Sequence, residues 1–129
     1  MLYAIADRDD SNHRACVRLV QDWGGALHAP TLILAEVGYF LEQRMGPDAE
    51  ARFLASVADG QILLEHPTQG DLVRMVELVQ RYGDWPLGTV DASVIATAER
   101  LNITTIATLD RRHFGAVKPR HIEAFELVP

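Results

Sequence analysis

The sequence predicts an α/β fold with a parallel sheet, and two observations predict it. Stretches with a helical hydrophobic period alternate with short apolar runs of strand character. The helical stretches are long enough to return the chain to the same end of a sheet, which favours parallel strands joined by right-handed crossovers. At 129 residues, with no linker rich in Pro, Gly or Ser and no internal repeat, residues 1–129 read as a single domain.

The elements follow in order. The chain opens in mid-run with Met1, Leu2, Tyr3, Ala4 and Ile5, as the tail of a strand or of a strand-to-helix connection. A helix is expected over residues 11–22, with Cys16, Leu19, Val20 and Trp23 on one stripe and Gly24 and Gly25 ending it. Residues 26–29 read as a short strand. Thr31 is a suitable N-cap for a helix running to about Arg44. Pro47 opens a third helix, where a missing N–H costs nothing; Phe53, Leu54 and Val57 form its inner face and Gly60 stops it. Residues 61–65 are a strand. Thr68 caps a fourth helix with Leu72, Met75, Val76 and Val79 inward, closed by Gly83. After a loop over residues 84–88, a fifth helix starts near Asp91. Residues 103–108 and 124–128 are the last two strands.

Composition narrows the function. A 48% apolar share supports one sizeable core, and a 23% charged share carries no sign of disorder. A net charge of −6 argues against nonspecific coating of nucleic acid, which needs a broad basic face. It does not argue against a nuclease, because clustered carboxylates make a chain acidic and metal ions reverse their field. One cysteine, Cys16, permits no intrachain disulfide, and its place on an apolar stripe makes it inert core. A reducing cytoplasm is the expectation. No signal peptide is expected, because Asp7, Asp9 and Asp10 interrupt the opening apolar run.

Three carboxylates stand in unusual company. Glu36 lies in a stretch apolar nearly all round, which predicts burial, either on a metal ion or beside an arginine at the rim of the core. Asp91 faces inward at a helix start, as a ligand or as a plain N-cap. Asp110 follows a strand, where open parallel sheets place their ligand sites and where turns also favour Asp. A parallel sheet could bring all three to one edge. Oxygen ligands so gathered select Mg²⁺ or Mn²⁺, which activates water toward a phosphodiester. Arg111, Arg112 and His113, then Lys118, Arg120 and His121, form a basic run after Asp110; a solvated loop balancing an acidic chain is the first reading for most of them, and phosphate contacts are the other. His113 has packing against Phe114 as its other reading. Dinucleotide, P-loop, zincin and serine-hydrolase signatures are missing from the sequence.

Asp7-Arg8-Asp9-Asp10-Ser11-Asn12-His13, Glu36 after Thr31, Val90-Asp91-Ala92-Ser93-Val94-Ile95-Ala96, and Ile106-Ala107-Thr108-Leu109-Asp110-Arg111-Arg112-His113-Phe114 together resemble the PIN-domain family. Within it, the VapC-type ribonuclease toxins are the most similar. The resemblance covers the whole chain. It implies a three-layer α/β/α fold with a five-stranded parallel sheet, and Mg²⁺- or Mn²⁺-dependent endoribonuclease activity. It implies Glu36, Asp91 and Asp110 as metal-binding carboxylates, with Thr108 as the hydroxyl beside the last. It also implies RNA as substrate, homodimerisation and a cognate antitoxin. Members usually open with a strand ending in Asp. Here that Asp falls about three positions before Met1, so a truncated first strand and weak or absent activity are expected. Two other readings remain open. One is a PIN-fold binding module without catalysis. The other is a phosphatase of the haloacid-dehalogenase kind, which needs a strand leading into Asp7-Arg8-Asp9.

Overall fold

The opening run Leu2-Tyr3-Ala4-Ile5-Ala6 is helical: α1 spans Leu2–Ala6. Of the two readings of this run, the connection into a helix holds and the strand does not. The structure, a computed structural model, describes residues 1–85 and 87–129; Pro86, inside the loop expected over residues 84–88, lies outside them. Because α1 precedes Asp7 directly, the strand that the phosphatase reading needs is not formed there. Asp7 instead accepts hydrogen bonds from the Tyr3 hydroxyl (2.9 Å) and the Asp9 amide (3.0 Å).

Two compact units divide the chain, residues 1–64 with Pro129 and residues 65–128. The first holds α1, α2 (His13–Trp23), β1 (Leu27–Pro30), α3 (Leu32–Met45), α4 (Pro47–Ala58) and all but the last residue of β2 (Ile62–Glu65), with β1 paired to β2. Gly24 ends α2 in the left-handed region, as expected of a glycine stop. Gly46, at φ 79, serves at once as the end of α3 and the entry to α4, with Pro47 in the first turn. A Cβ on Gly38 would come within 3.2 Å of Glu50 Oε1, so the missing side chain leaves room for the Glu50 carboxylate of α4 against α3. Ala4, Cys16, Ala29, Leu41, Ala49 and Ile62 are the buried apolar residues, among those described, about which this unit packs.

The second unit holds α5 (Gln69–Arg81), α6 (Thr89–Leu101), β3 (Thr105–Ala107), α7 (Arg111–Ala116) and β4 (Glu126–Val128). β3 and β4 pair in parallel, Ile106 opposite Leu127. Small residues on α6, among them Ala92, Ser93, Ala96 and Ala98, are buried and let α5 pack closely. The α/β class with parallel pairing is therefore as expected. The described residues form four strands in two pairs, where the family resemblance implied five in one sheet. The strands at residues 103–108 and 124–128 are shorter than expected, and α7 was not expected at all.

Several inner faces differ from the sequence pattern. Glu36 is exposed rather than buried, because α3 buries only Gly38 and Leu41 and leaves Tyr39 and Phe40 outside. Leu54 on α4 and Trp23 on α2 are likewise exposed. On α5, Leu72, Val76 and Val79 are exposed, while Asp71, Arg74, Met75 and Leu78 are buried. The buried stripe is viable because its charges are matched. Arg74 grips Glu99 of α6 through Nε and Nη2 (2.8 and 2.9 Å), and Asp71 accepts from Arg100 Nε at 2.9 Å. Hydrophobic period cannot see that pairing, since the partners lie on another helix.

Candidate metal centre

Unit two brings two of the three singled-out carboxylates to one side chain. α6 begins at Thr89, two residues before the expected start, so Asp91 is its third residue and Gly88 its cap. Asp91 is therefore not a plain N-cap. Asp110 does cap a helix: its Oδ1 accepts from the His113 amide of α7 at 3.0 Å. The Asp110 amide in turn donates to Thr108 Oγ1 at 3.0 Å. Thr108, buried just past β3, thereby fixes the turn that aims Asp110.

His113 joins the two acids. Its Nδ1 lies 2.9 Å from Asp110 Oδ2 and 3.3 Å from Asp91 Oδ2. That nitrogen is closed to solvent, yet neither contact is directed as a hydrogen bond. These are contacts of proximity rather than of good hydrogen-bond geometry. The sequence placed His113 among phosphate-contacting cations or against Phe114; its ring instead faces the carboxylates. Sequence pattern offered one clue, since a residue three past an N-cap sits over the cap.

The electrostatics of Asp91 are unfavourable for a lone carboxylate. Burial pushes its carboxyl above the ordinary range. His113 and a hydrogen bond from Gly88 pull it down, the Asp110 charge pushes it up again, and the net shift is upward. Two oxygen-rich side chains that repel each other across a partly buried site suit a hard divalent cation, which would relieve both the burial and the repulsion. Among the described residues no group of three or more His, Cys, Asp and Glu is drawn together tightly enough to hold an ion by itself. Glu36 stands on α3 in unit one, exposed to solvent.

The basic run divides. Arg112 lays its guanidinium over the Trp85 ring, 4.4 Å from the centroid. Trp85 was not singled out from sequence; an aromatic beside Pro86 in a loop gives only a faint signal. Arg111 is exposed on the same helix. Arg120 pairs with Glu77, and its amide donates to Glu99 Oε1 at 3.0 Å. His121 turns inward, with Nε2 2.8 Å from the Ile103 carbonyl oxygen. It belongs to the scaffold, not to a solvated loop.

Comparison with known proteins adds three findings. A family model described as "PIN domain" matches residues 1–118. The chain is 31% identical over 128 residues to Ribonuclease VapC26 of Mycobacterium tuberculosis (strain ATCC 25618 / H37Rv), covering 99% of this chain and 95% of that protein. It superposes on the crystal structure of VapC20 of Mycobacterium tuberculosis, a sarcin-ricin loop cleaving toxin, with TM-score 0.83. That match spans 95% of this chain and 93% of the other at 20% identity, and so bears on the fold.

Proposed function

The chain belongs to the PIN-domain family, and from that premise we propose that it is an endoribonuclease acting as the toxin of a toxin–antitoxin pair. Residues 1–129 act as one domain in this reading. The observation that carries it is the meeting of Asp91 and Asp110 at His113, with the Asp91 carboxyl raised by burial. A cluster of acids held against its own repulsion is characteristic of a site that works with a cation.

Asp91 and Asp110 of unit two are the proposed ligands of Mg²⁺ or Mn²⁺, and Glu36 is the further metal-binding carboxylate that the family resemblance implies. The ion, when bound, supplies Lewis-acid activation of water and charge neutralisation at the phosphate. Thr108 orients Asp110 through its amide. His113 holds the two aspartates in register before a cation arrives. Arg111 and Arg112, on the helix that Asp110 caps, place the RNA backbone. Stacking on Trp85 keeps the Arg112 guanidinium flat and ordered. The relative's name, Ribonuclease VapC26, supports the reaction class, and the resemblance to VapC-type toxins implies an antitoxin and a homodimer. Exposed Tyr39 and Phe40 on α3, and Leu72, Val73 and Val76 on α5, support partners covering those faces. Among the described residues no helix is long and apolar enough to cross a membrane, which is compatible with the cytoplasm as its place of action.

Cleavage of bulk RNA with Mn²⁺ tests the proposal. Asp91→Asn should lose the activity while keeping the far-ultraviolet spectrum of the parent. Retained Mn²⁺-dependent cleavage in that variant would remove Asp91 from the site.

A further inference from the structure

On unit two, α5 and the segment after α7 line an open cleft of about 590 Å³. Four cations line it, Arg74, Arg81, Lys118 and Arg120, with Glu77 as the lining carboxylate. Two of these cations are spoken for. Glu99 and Glu77 hold Arg74, and Glu77 holds Arg120. Arg81 and Lys118 have no carboxylate partner among the described residues. The cleft therefore carries unneutralised positive charge on a chain whose net charge is −6.

The arrangement is held in place rather than loose. Tyr82 anchors the backbone of one and meets the side chain of the other: its hydroxyl accepts from the Lys118 backbone amide at 3.1 Å, and the Arg81 guanidinium lies 5.7 Å from its ring centroid. The Arg120 amide ties the same segment to Glu99. Ordering of this kind lowers the entropy cost of gripping an anion.

We propose that this cleft binds the RNA backbone beside the scissile phosphate, Arg81 and Lys118 each meeting one phosphate. The proposal rests on the ribonuclease reading. Position favours RNA over an acidic protein segment. Asp110 caps α7 at one end, and Lys118 lies two residues beyond its other end at Ala116. Six helical residues rise about 9 Å, a distance that a few nucleotides cover. A strand whose phosphate sits at Asp110 and which follows α7 reaches the cleft. Arg81 suits a phosphate by its forked donors, and Lys118 as a point charge.

The double variant Arg81→Gln/Lys118→Gln tests this, both side chains being exposed. Binding is measured in EDTA, so that no cleavage intrudes, with fluorescein-labelled RNAs of twenty and of four nucleotides. For the longer RNA the affinity should fall about tenfold. The slope of log K against log salt should shrink by about 1.4, from two single-strand phosphate contacts at about 0.7 each. The four-nucleotide RNA should bind as before. An unchanged slope overturns the proposal, as does an equal loss on both RNAs. Loss of poly-glutamate binding with RNA binding intact overturns it too, in favour of an acidic protein partner. Wild-type protein that neither cleaves RNA nor binds Mn²⁺ would sink the ribonuclease reading instead, while the metal-free slopes still decide the cleft.

Discussion

Asp71 and Asp91 hold the same position, third residue of the adjacent helices α5 and α6, and their surroundings treat them in opposite ways. Burial pushes the Asp71 carboxyl up, but hydrogen bonds with Thr68 and the Arg100 guanidinium more than offset it, and its pKa is lowered. Thr68 and Asp71 exchange backbone and side-chain hydrogen bonds in a full capping box, at 2.8 and 3.1 Å. Asp91 receives a Gly88 amide, but it also faces Asp110, and its pKa is raised. One acid is fully matched and stabilises the fold. The other is held at a cost that a bound cation would remove, which is how a structural carboxylate differs from a working one.

The sharpest way to break this comparison is catalytic. Asp91→Asn should lower RNA cleavage at least about 100-fold, by removal of a metal ligand. Asp71→Asn should leave the specific activity of folded protein near that of the parent. Equal losses in the two variants would erase the distinction.

Metal-linked stability is the next largest effect. Saturating Mn²⁺ should raise the melting temperature of the parent, by about 2.7 kcal/mol of stabilisation at a hundredfold excess over the dissociation constant. Asp71→Asn should keep that rise and Asp91→Asn should lose it. Differential scanning fluorimetry with and without EDTA reads both.

A smaller contrast concerns the metal-free fold. Asp71→Asn should cost about 1–2 kcal/mol in urea unfolding, through the lost capping box and the uncompensated Arg100. Asp91→Asn should cost nothing or stabilise slightly. A destabilised Asp91→Asn would mean that His113 pairing dominates at that site.

The smallest effect is in the pH dependence, and its sign differs between the two acids. Asp71 has a lowered folded pKa, so its contribution is present above the ordinary carboxylate value and is lost as pH falls through the folded one. Asp91 has a raised folded pKa, so its cost is present above that value and is relieved as pH falls through it. The advantage of Asp91→Asn over the parent should therefore grow from acid to neutral pH. A flat difference over that range would contradict the raised pKa.

Much of this was legible in residues next to one another. Gly24, Pro47 and Thr68 marked helix boundaries through local backbone chemistry. Asp91 and Asp110 drew notice by their position relative to a helix start and a strand end. The burial of Glu36 was misread because an apolar helix need not be covered on every side. The stripe on α5 was misread because its buried charges are satisfied from α6. Short α7 was missed because six residues carry too little periodicity to register.

What the sequence alone determined was the α/β class and most helix stops and caps, and it drew notice to Asp91 and Asp110. These depend on neighbours within a few residues of each other. Only the tertiary structure decided that His113 sits between Asp91 and Asp110, that Arg74 and Asp71 are buried safely, and that Arg81 and Lys118 share a cleft. Each of these is a meeting of side chains far apart in the chain, and the free energy of a charge depends on what the fold places beside it.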